Sequence, residues 1–597
     1  MAQTAAAVET SKAGYNRFLL LVAGLGGLLY GVDVGIIAGA LPYLEATSGF
    51  TAGQLSTVVA AVLLGSVFST LFAGVLADWM GRKRLMILSG LLFVLSIPVI
   101  ALSHGYSPLV LGRLLQGVSA GLIGVVVPLY LAECLSASTR GKGTGVFQWL
   151  LTLGIVSAAL IAMYFSIRVD EVAKHGDATQ LFAFKDRAWR AIFWVSLPPG
   201  LLFVLGSFAV AESPRWLFRK GRKEAALQAL LRSRSTEQAN TELREMESTS
   251  AAEKAKSSTG DKVKESLLRR KYVIPFVLAC VILACNQTTG INSIIGYNTN
   301  ILLQSGLSDV QAHWGYVIFT IMNFLFTMGG VMLVDRKGRK FLLTLGTTGI
   351  IISLVCTGLL FRKTETHRVD ARNMVQTMVG PDEKLSLSYD AQTAQKLLAG
   401  YAEAGAQISG KPTSLSIIYS YGDFHAASQA VRSDDQAAKP VTINREDTIP
   451  ANKVVAFFSN PFADLDAART APLKIDNALI TPVPSQQNGW LVAITLYIFI
   501  AFFAVGPGVV VWLALSELMP TRIRSNGMSI ALLINQGFST GIAAVFLPTV
   551  GKYGYGAMFF GFAACTVVYF IAAVFFLPET KGKTLEEIEA HFEGATA

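Results

Sequence analysis

The chain has 597 residues, of which 52% are hydrophobic and 15% charged, and it carries a formal net charge of +10. Its mean hydropathy of +0.48 is too high for a water-soluble protein of this length, so the composition predicts a membrane protein with many spans. The excess of Lys and Arg is typical of cytoplasmic loops and does not indicate nucleic-acid binding. The first residues lack the basic start of a signal peptide, so we expect the first apolar run to remain as a span.

Twelve apolar runs are long enough to cross a bilayer, which takes roughly 20 residues. They lie at about 17–43, 56–77, 85–103, 108–132, 144–167, 190–211, 272–303, 312–334, 341–361, 488–515, 524–549 and 555–577. The loops after the second, fourth, eighth and tenth runs are rich in Arg and Lys, whereas 44–55, 104–107 and 304–311 contain neither. By the positive-inside rule we expect both termini in the cytoplasm.

Two long polar segments interrupt these runs. The first, 212–271, is highly charged and predicts short amphipathic helices on the cytoplasmic face. The second, 362–487, is too long for a structureless loop in a compact domain, and two interpretations stay open: a small α+β domain without disulfides, or a partly disordered segment. The predicted order is an N-terminal tail (1–16), a first half (17–211), a linker (212–271), spans 7–9 (272–361), the insertion (362–487), spans 10–12 (488–577) and a C-terminal tail (578–597).

One acid lies at lipid depth in the first run. Asp33 is the only charged residue between Arg17 and Tyr43. An acid in the middle of a span costs about 2.5–3.5 kcal/mol on insertion scales. We therefore expect Asp33 to face a polar cavity, to meet a cation or to take up a proton. The alternative is an inert Asp that is paired inside the helix bundle.

Two patterns of acidic and basic residues recur in the two halves. The pattern Asp-x2-Gly-Arg-Lys begins at Asp78 after the second run and at Asp335 after the eighth, 257 residues later. The pattern Glu-x6-Arg begins at Glu133 after the fourth run and at Glu517 after the tenth, 384 residues later. The offsets differ by 127, close to the length of the insertion, so one duplication and one insertion explain both. Two parallel halves of six spans are the plan of the major facilitator architecture.

These patterns lie where helices leave the bilayer. Ion pairs between the helix ends predict a gate that holds the cytoplasmic side shut while the other side is open. The alternative is plain topology, with basic residues anchored to lipid headgroups, but topology does not explain the acids. The predicted gate residues of the two patterns are Asp78, Arg82, Glu133, Arg140, Asp335, Arg339, Glu517 and Arg524.

Nine short stretches occur in an order that is typical of one family. They are Gly31-Val32-Asp33, Gly81-Arg82-Lys83, Gly112-Arg113, Ala132-Glu133 with Arg140-Gly141-Lys142, Glu212-Ser213-Pro214-Arg215-Trp216-Leu217, Asn286-Gln287-Thr288-Thr289-Gly290-Ile291-Asn292, Asp335 with Gly338-Arg339-Lys340, Gly506-Pro507-Gly508 with Trp512, and Pro578-Glu579-Thr580-Lys581-Gly582. On these residues the chain resembles the sugar porters of the major facilitator superfamily. The resemblance covers all twelve spans, but not the insertion. It implies an all-α membrane protein with 12 transmembrane helices in two pseudo-symmetric halves, and it adds Glu212 to the predicted gate.

The resemblance also implies a sugar site. Its predicted residues are Gln148, Asn286, Gln287, Asn292, Asn323, Trp512 and Asn535. Amide side chains both donate and accept hydrogen bonds, as sugar hydroxyls do, and a Trp ring offers an apolar face to a pyranose. The same amides are alternatively hydrogen-bonding groups between helices. Asn286 stands where the family usually has Gln, and Gln536 where many members have Trp, so the resemblance implies a class of substrate rather than one sugar.

In this family, an acid and an arginine at the positions of Asp33 and Arg113 mark proton-coupled members. We therefore predict symport of a hexose or pentose with protons, in which protonation of Asp33 releases Arg113 and favours occlusion of the bound sugar. The alternatives are a polyol–proton symporter such as one for inositol, an uncoupled facilitator, and a non-transporting sensor. Sensors on this scaffold usually add a long cytoplasmic tail, which the segment after Pro578 does not provide.

Composition and spacing indicate no enzyme within this chain. The five cysteines and six histidines show neither metal-ligand nor disulfide spacing, and His367 and His425 in the insertion have no catalytic pattern around them. We predict no cofactor, no metal and no nucleic-acid partner. The expected partners are a monosaccharide, protons and the lipid bilayer of a plasma or inner membrane, in which the chain works as a monomer.

Overall fold

The computed structural model describes residues 2–135, 137–258, 270–401, 408, 410–435, 440–450, 453, 463–519, 524–581 and 591–592. Within them, side chains are not described at 2–11, 132, 137–145, 249–258, 335, 512–517, 524–526 and 529.

The described chain has eleven helical segments that are long and apolar enough to cross a membrane. The last of them, Ile530–Phe576, has 47 residues, or about 70 Å of helix, which is enough for two crossings. Gly554 interrupts it with a φ of +92°, a conformation that is strained for a residue with a side chain. The chain therefore makes twelve spans, and the predicted fold class is confirmed.

The spans are numbered in chain order. Their helices are Ala2–Ser48 (span 1), Ala52–Met80 (2), Arg82–Ala101 (3), Tyr106–Cys134 (4), Ala137–His175 (5), Ala178–Trp194 with Leu197–Ala209 (6), Arg270–Thr288 with Ile291–Gly296 and Asn298–Gln304 (7), Asp309–Lys337 (8), Arg339–Glu365 (9), Gln486–Val505 with Pro507–Leu518 (10), and Arg524–Ile571, which continues into the π-helix Ala572–Phe576 (11 and 12).

Span 7 is discontinuous near its middle. The helix ends at Thr288, Gly290 has a φ of +83°, and a new helix begins at Ile291. A β-carbon on Gly290 would lie 2.4 Å from the Phe562 ring, so glycine is required here both for the left-handed backbone conformation and for the close approach of that ring. Broken helices free backbone groups and redirect side chains within a bundle, and in transporters they mark the midplane binding region.

In the described part of the chain, three helices follow span 6 on one side of the membrane, which we call the linker side. They are Pro214–Arg219, Lys223–Leu231 and Thr236–Ser258. The indole of Trp216 donates to the backbone oxygen of Asp78 at 2.9 Å, and Arg234 donates to that of Cys134 at 2.7 Å. The linker helices are therefore fastened to the ends of spans 2 and 4.

The described part of the insertion is a small α+β domain, the first of the two interpretations left open by its sequence. Its strands are Val369–Asp370 (β1), Leu385–Leu387 (β2), Thr413–Tyr421 (β3), Phe424–Ala427 (β4), Val431–Arg432 (β5), Val441–Ile443 (β6) and Leu473–Pro482 (β7). Its helices are Arg372–Gln376, Ala391–Ala399, Arg445–Thr448 and Leu465–Thr470. The order β1-β7-β3-β4 forms an antiparallel sheet with β5 beside β3, while β2 pairs with β6.

This domain has a hydrophobic core of its own. Alternate residues of β3, namely Leu415, Ile417, Tyr419 and Tyr421, are buried and belong to one cluster with Leu397 of the helix Ala391–Ala399. The two-residue period of a strand puts these four side chains on one face, so the sequence of β3 specifies which face meets the core.

Buried apolar side chains are distributed differently on the two sides of the membrane. On the side of the insertion, which we call the insertion side, one cluster runs through both halves and includes Ile36, Tyr297 and Phe546. Towards the linker side, Leu85 belongs to a cluster within the first half and Leu342 to one within the second. The halves are therefore packed against each other on the insertion side.

Candidate functional site

Asp33 and Arg113 form a buried ion pair inside the first half. Arg113 Nη1 lies 3.7 Å from Asp33 Oδ1, and each residue is 1% exposed. Neither carboxylate oxygen of Asp33 accepts a hydrogen bond from a described residue. The acid is thus held by charge rather than by tight hydrogen bonds, an arrangement that a small movement or one proton can undo.

Arg113 has other partners besides the acid. It donates to the side-chain oxygen of Gln116 at 2.7 Å, and its guanidinium carbon lies 5.7 Å from the ring centre of Phe193. Its Nε also lies 3.5 Å from the backbone oxygen of Val58. The guanidinium is therefore anchored to spans 2, 4 and 6 independently of Asp33 on span 1, and it can keep its place when the acid is neutral.

Three of the predicted sugar-binding amides come together in the second half. Gln287 donates to Asn535 at 3.1 Å and accepts from Asn292 at 2.9 Å, so the three form a chain between spans 7 and 11. Asn292 also donates to Ser539 at 2.7 Å, and Asn535 to the backbone oxygen of Leu283 at 2.9 Å. The break at Gly290 places Gln287 and Asn292 on the two helices that meet there.

The other predicted sugar residues differ in their surroundings. Asn286 is buried and its side-chain oxygen has no partner among the described residues. Gln148 and Asn323 are half-buried, on spans 5 and 8, and Asn323 accepts a long hydrogen bond from Thr327 at 3.5 Å. The side chain of Trp512 lies outside the described residues. No group of three or more His, Cys, Asp or Glu that could hold a metal occurs among the residues with described structure.

Polar contacts join the two halves on the insertion side, and the sequence did not identify them. Asp309 at the start of span 8 accepts from the hydroxyls of Tyr43 at 2.8 Å and Ser166 at 2.6 Å. The hydroxyl of Tyr316 donates to the backbone oxygen of Gly35 at 2.9 Å. Tyr43 and Asp309 lie at the ends of runs whose loops lack Lys and Arg. No spacing in the sequence pairs any of these contacts, which join residues 143 to 281 positions apart.

A further contact of this kind joins two side chains near the ends of spans 1 and 7. Asn300 donates to Glu45, and both belong to the layer in which the halves meet. The hydroxyl of Tyr297 donates to the backbone oxygen of Ala543 at 3.2 Å, within the second half. Together with the shared apolar cluster, this layer closes the insertion side.

The gate residues of the first half form a connected cluster. Arg82 is buried and pairs with Asp78 at 2.9 Å and Glu133 at 2.8 Å, and Arg219 of the linker pairs with Glu133 at 2.9 Å. Where side chains are described, the partners of these residues and of Glu212 belong to the first half or the linker. The cluster therefore fastens the linker helices to spans 2 and 4, and its role as a gate between the halves stays a prediction.

Glu212 and Glu579 cap equivalent helices in the two halves. Glu212 accepts the backbone N–H groups of Arg82 at 2.9 Å and Lys83 at 3.1 Å, where span 3 begins. Glu579 accepts those of Arg339 at 3.0 Å and Lys340 at 3.1 Å, where span 9 begins. The first N–H groups of a helix have no partner in the helix and favour an anion. Sequence reasoning did not assign Glu579 a role, although Glu-Thr after span 12 matches Glu-Ser after span 6.

The rest of the predicted gate falls on side chains that the structure does not describe. They are Arg140, Asp335, Glu517 and Arg524. Arg339 is described: its backbone N–H meets Glu579, and its guanidinium donates to the backbone oxygen of Val334 at 3.3 Å.

Comparison with known proteins gives a consistent result. The model of a family described as "Sugar (and other) transporter" matches residues 19–379 and 476–592 and leaves out most of the insertion. The glucose transporter GlcP of Staphylococcus epidermidis is 26% identical over 578 residues, which cover 96% of this chain and 97% of that protein. The human proton myo-inositol cotransporter is 26% identical over 582 residues, which cover 95% and 80%.

A solved structure shares the fold. The xylose transporter XylE from E. coli, in a partially occluded inward-open conformation, has a TM-score of 0.61 to this structure at 20% identity. The match covers 96% of this chain and 100% of that chain. At this identity the likeness concerns the arrangement of the helices.

We predict that the cap at Glu579 stabilises the second half in a pH-dependent way. Partial burial raises the pKa of Glu579, but the backbone N–H groups of Lys581, Arg339 and Lys340 outweigh it and hold the pKa below its usual value of 4.5. Glu579→Gln should cost roughly 1 kcal/mol of stability at pH 7. Because the folded-state pKa is lowered, this difference should decline as the pH falls below 4.5 and through the lowered value.

Thermal unfolding of the purified protein in detergent at several pH values measures this difference. Glu245→Gln, at an exposed position in the middle of the linker helix Thr236–Ser258, is the matched control, for which we expect a change within about 0.5 kcal/mol. A loss at Glu579→Gln that is the same at every pH would contradict the capping role of the charge.

Proposed function

The chain belongs to the sugar transporter family, as its motifs predicted, and we therefore propose that it imports a monosaccharide together with protons by alternating access. The observation that carries the proton part is the ion pair of Asp33 and Arg113, at 3.7 Å and 1% exposure inside membrane spans. A charge at this depth is expensive unless it is neutralised. The positive charge of Arg113 compensates the ionised carboxylate of Asp33. When the two side chains are apart, binding of a proton to Asp33 removes its charge instead.

This balance gives a coupling mechanism. A proton on Asp33 removes the attraction to Arg113, which keeps its bonds to Gln116 and its place over Phe193. Span 1 carries Asp33 and also Gly35 and Tyr43, which contact span 8 and its N-terminal end across the halves. Release of Asp33 therefore allows span 1 to shift. Because the same helix makes contacts that close the insertion side, its shift weakens that closure.

We propose the amide cluster as the sugar site. Gln287, Asn292 and Asn535 bond one another between spans 7 and 11, which is the alternative that the sequence left open. These bonds between helices do not exclude a sugar-binding role, because an amide that bonds another amide offers the donor and acceptor geometry that a sugar hydroxyl requires. Gln148 on span 5 and Asn323 on span 8 complete the proposed site from both halves.

For the substrate we propose a hexose or pentose, with a polyol as the second candidate. The names of the relatives include a glucose transporter and a proton myo-inositol cotransporter, and both ligands present a ring of hydroxyls. We further propose a plasma or inner membrane location with both termini and the linker in the cytoplasm, since the short loops rich in Arg and Lys lie on the linker side. In that orientation the insertion is extracytoplasmic. We propose the domain limits that the sequence predicts, and we expect the chain to work as a monomer.

We predict that Asp33→Asn abolishes accumulation but not exchange. Asn matches Asp in shape but takes up no proton, so sugar should equilibrate and not rise above its outside concentration. The measurement is uptake of D-glucose, D-xylose and myo-inositol into vesicles with an imposed pH gradient, with and without a protonophore, followed by counterflow without a gradient. Asp177→Asn, at an exposed helix cap outside the membrane, is the matched control and should accumulate normally.

Two outcomes would contradict this proposal. If Asp33→Asn still concentrates sugar, the acid has no coupling role. If uptake by the unaltered protein ignores the protonophore, the chain is an uncoupled facilitator. The substrate that the panel selects decides between a monosaccharide and a polyol.

We predict that Gln287→Ala weakens sugar binding and leaves coupling intact. The loss of one or two hydrogen bonds of about 1 kcal/mol each should raise the half-saturation concentration about fivefold to thirtyfold. Uptake kinetics of the substrate found above measure it, and Gln395→Ala on the exposed face of the insertion is the control. An unchanged half-saturation for every sugar would remove Gln287 from the site.

A further inference from the structure

A cavity lies between the insertion and the ends of the spans on the insertion side. Its volume is about 480 Å³, within the range of roughly 300–1,000 Å³ that is usual for small-molecule sites, which often occur at domain interfaces. Spans 1, 5, 6 and 7 form one wall, and the insertion forms the other with residues such as Gln429 and Thr442. A smaller cavity of about 90 Å³ adjoins it and shares six lining residues with it.

One buried amide in this wall lacks a partner. Asn300 is 5% exposed and lines both cavities. Its nitrogen donates to Glu45, but its oxygen accepts no hydrogen bond from a described residue. A buried acceptor without a donor is unfavourable, so a ligand that brings a hydroxyl or amine to this point gains a ready bond.

The charges of the lining disfavour anionic ligands. Five carboxylates and two cations line the larger cavity, which leaves a formal excess of three negative charges. Both cations already have acidic partners, Lys185 with Asp435 at 2.9 Å and Arg432 with Asp434 at 2.7 Å. The cavity therefore offers many acceptors and repels anions. Tyr43, Phe50 and Tyr419 add aromatic surface, which suits the C–H faces of a sugar ring.

We propose that this cavity is an entrance site, at which a neutral polyhydroxylated solute binds before the transport site opens to the insertion side. The inference rests on the proposed function for its class of ligand. Its position supports it, because Tyr43 and Asp309 line the cavity and their 2.8 Å hydrogen bond is part of the layer that closes the halves. When that contact breaks, we expect a continuous path for the solute from the cavity to the amide cluster.

The insertion is what makes this site a cavity. Without it, the ends of spans 1 and 7 would face the solvent and Asn300 would be open to water. Gln429 donates to the backbone oxygen of Phe50, and Arg432 to that of Leu303 at 3.1 Å, so the insertion covers both halves around Asn300. The segment that the family match leaves out thus supplies the second wall of the site.

Protection of an engineered thiol tests the entrance site. Thr442→Cys places an exposed thiol on the insertion wall, and Asp170→Cys gives a second reporter on span 5. In proteoliposomes, a membrane-impermeant maleimide is added with D-glucose, D-xylose or myo-inositol. We expect at least one of these solutes to slow labelling at least twofold, and the slowing to persist in Gln287→Ala. Gln395→Cys is the control, and the parent protein gives the background of the native cysteines.

A filling substitution tests the same site by function. Ala173 lines the cavity and is exposed, and Ala173→Trp should abolish the protection and raise the half-saturation for uptake several-fold. Ala178→Trp, five residues further and also exposed, is the matched control and should change neither.

The outcomes separate this inference from the proposed function. No protection by any of the three solutes, with coupled uptake intact, overturns the entrance site alone. Protection that disappears in Gln287→Ala also overturns it, since the signal then comes from the transport site. Protection that persists in a protein without sugar uptake supports the entrance site and counts against the transport proposal.

Discussion

The position of span 1 depends on an ion pair that a carboxylate forms at lipid depth. The ionised carboxylate of Asp33 is stabilised within span 1 because Arg113 lies 3.7 Å away and both side chains are shielded from lipid. Arg113 in turn is anchored by Gln116 and by the ring of Phe193. Span 1 is therefore held by a bond whose strength depends on one proton, and the same helix contributes Gly35, Tyr43 and Glu45 to the closed side.

The two halves have the same plan but differ in their buried polar contacts. Glu212 and Glu579 cap spans 3 and 9 with nearly identical distances, so the duplication read in the sequence extends to the backbone N–H groups. The ion pair of Asp33 and Arg113 lies only in the first half, whereas the hydrogen-bonded amides Gln287, Asn292 and Asn535 lie in the second. Under the proposed function, proton and sugar are therefore coupled through the movement of one half against the other.

The sequence predicts the parts of this arrangement that are local or repeated. Apolar runs locate the spans, the recurring Asp and Glu patterns reveal the duplication, and a lone acid such as Asp33 is conspicuous in an apolar run. Contacts such as Tyr43–Asp309 and Asn300–Glu45 could not be predicted, because they join helix ends 255 or more residues apart without a common spacing. The role of Glu579 was missed because its partners are backbone N–H groups, which have no signature in a sequence.

The insertion adds a constraint that the transport fold alone would not have. Both of its ends continue into the second half, at spans 9 and 10, so it must move with that half. Its bonds to the first half, Lys185–Asp435 and Gln429 to the backbone of Phe50, cross the layer that has to separate when the insertion side opens. Lys185 is only 12% exposed, so its ion pair is screened less by solvent than a surface pair and resists separation more. In the proposed alternating-access cycle, opening towards the insertion side therefore requires breaking contacts made by the domain as well as those made by the spans, so the domain favours the closed arrangement.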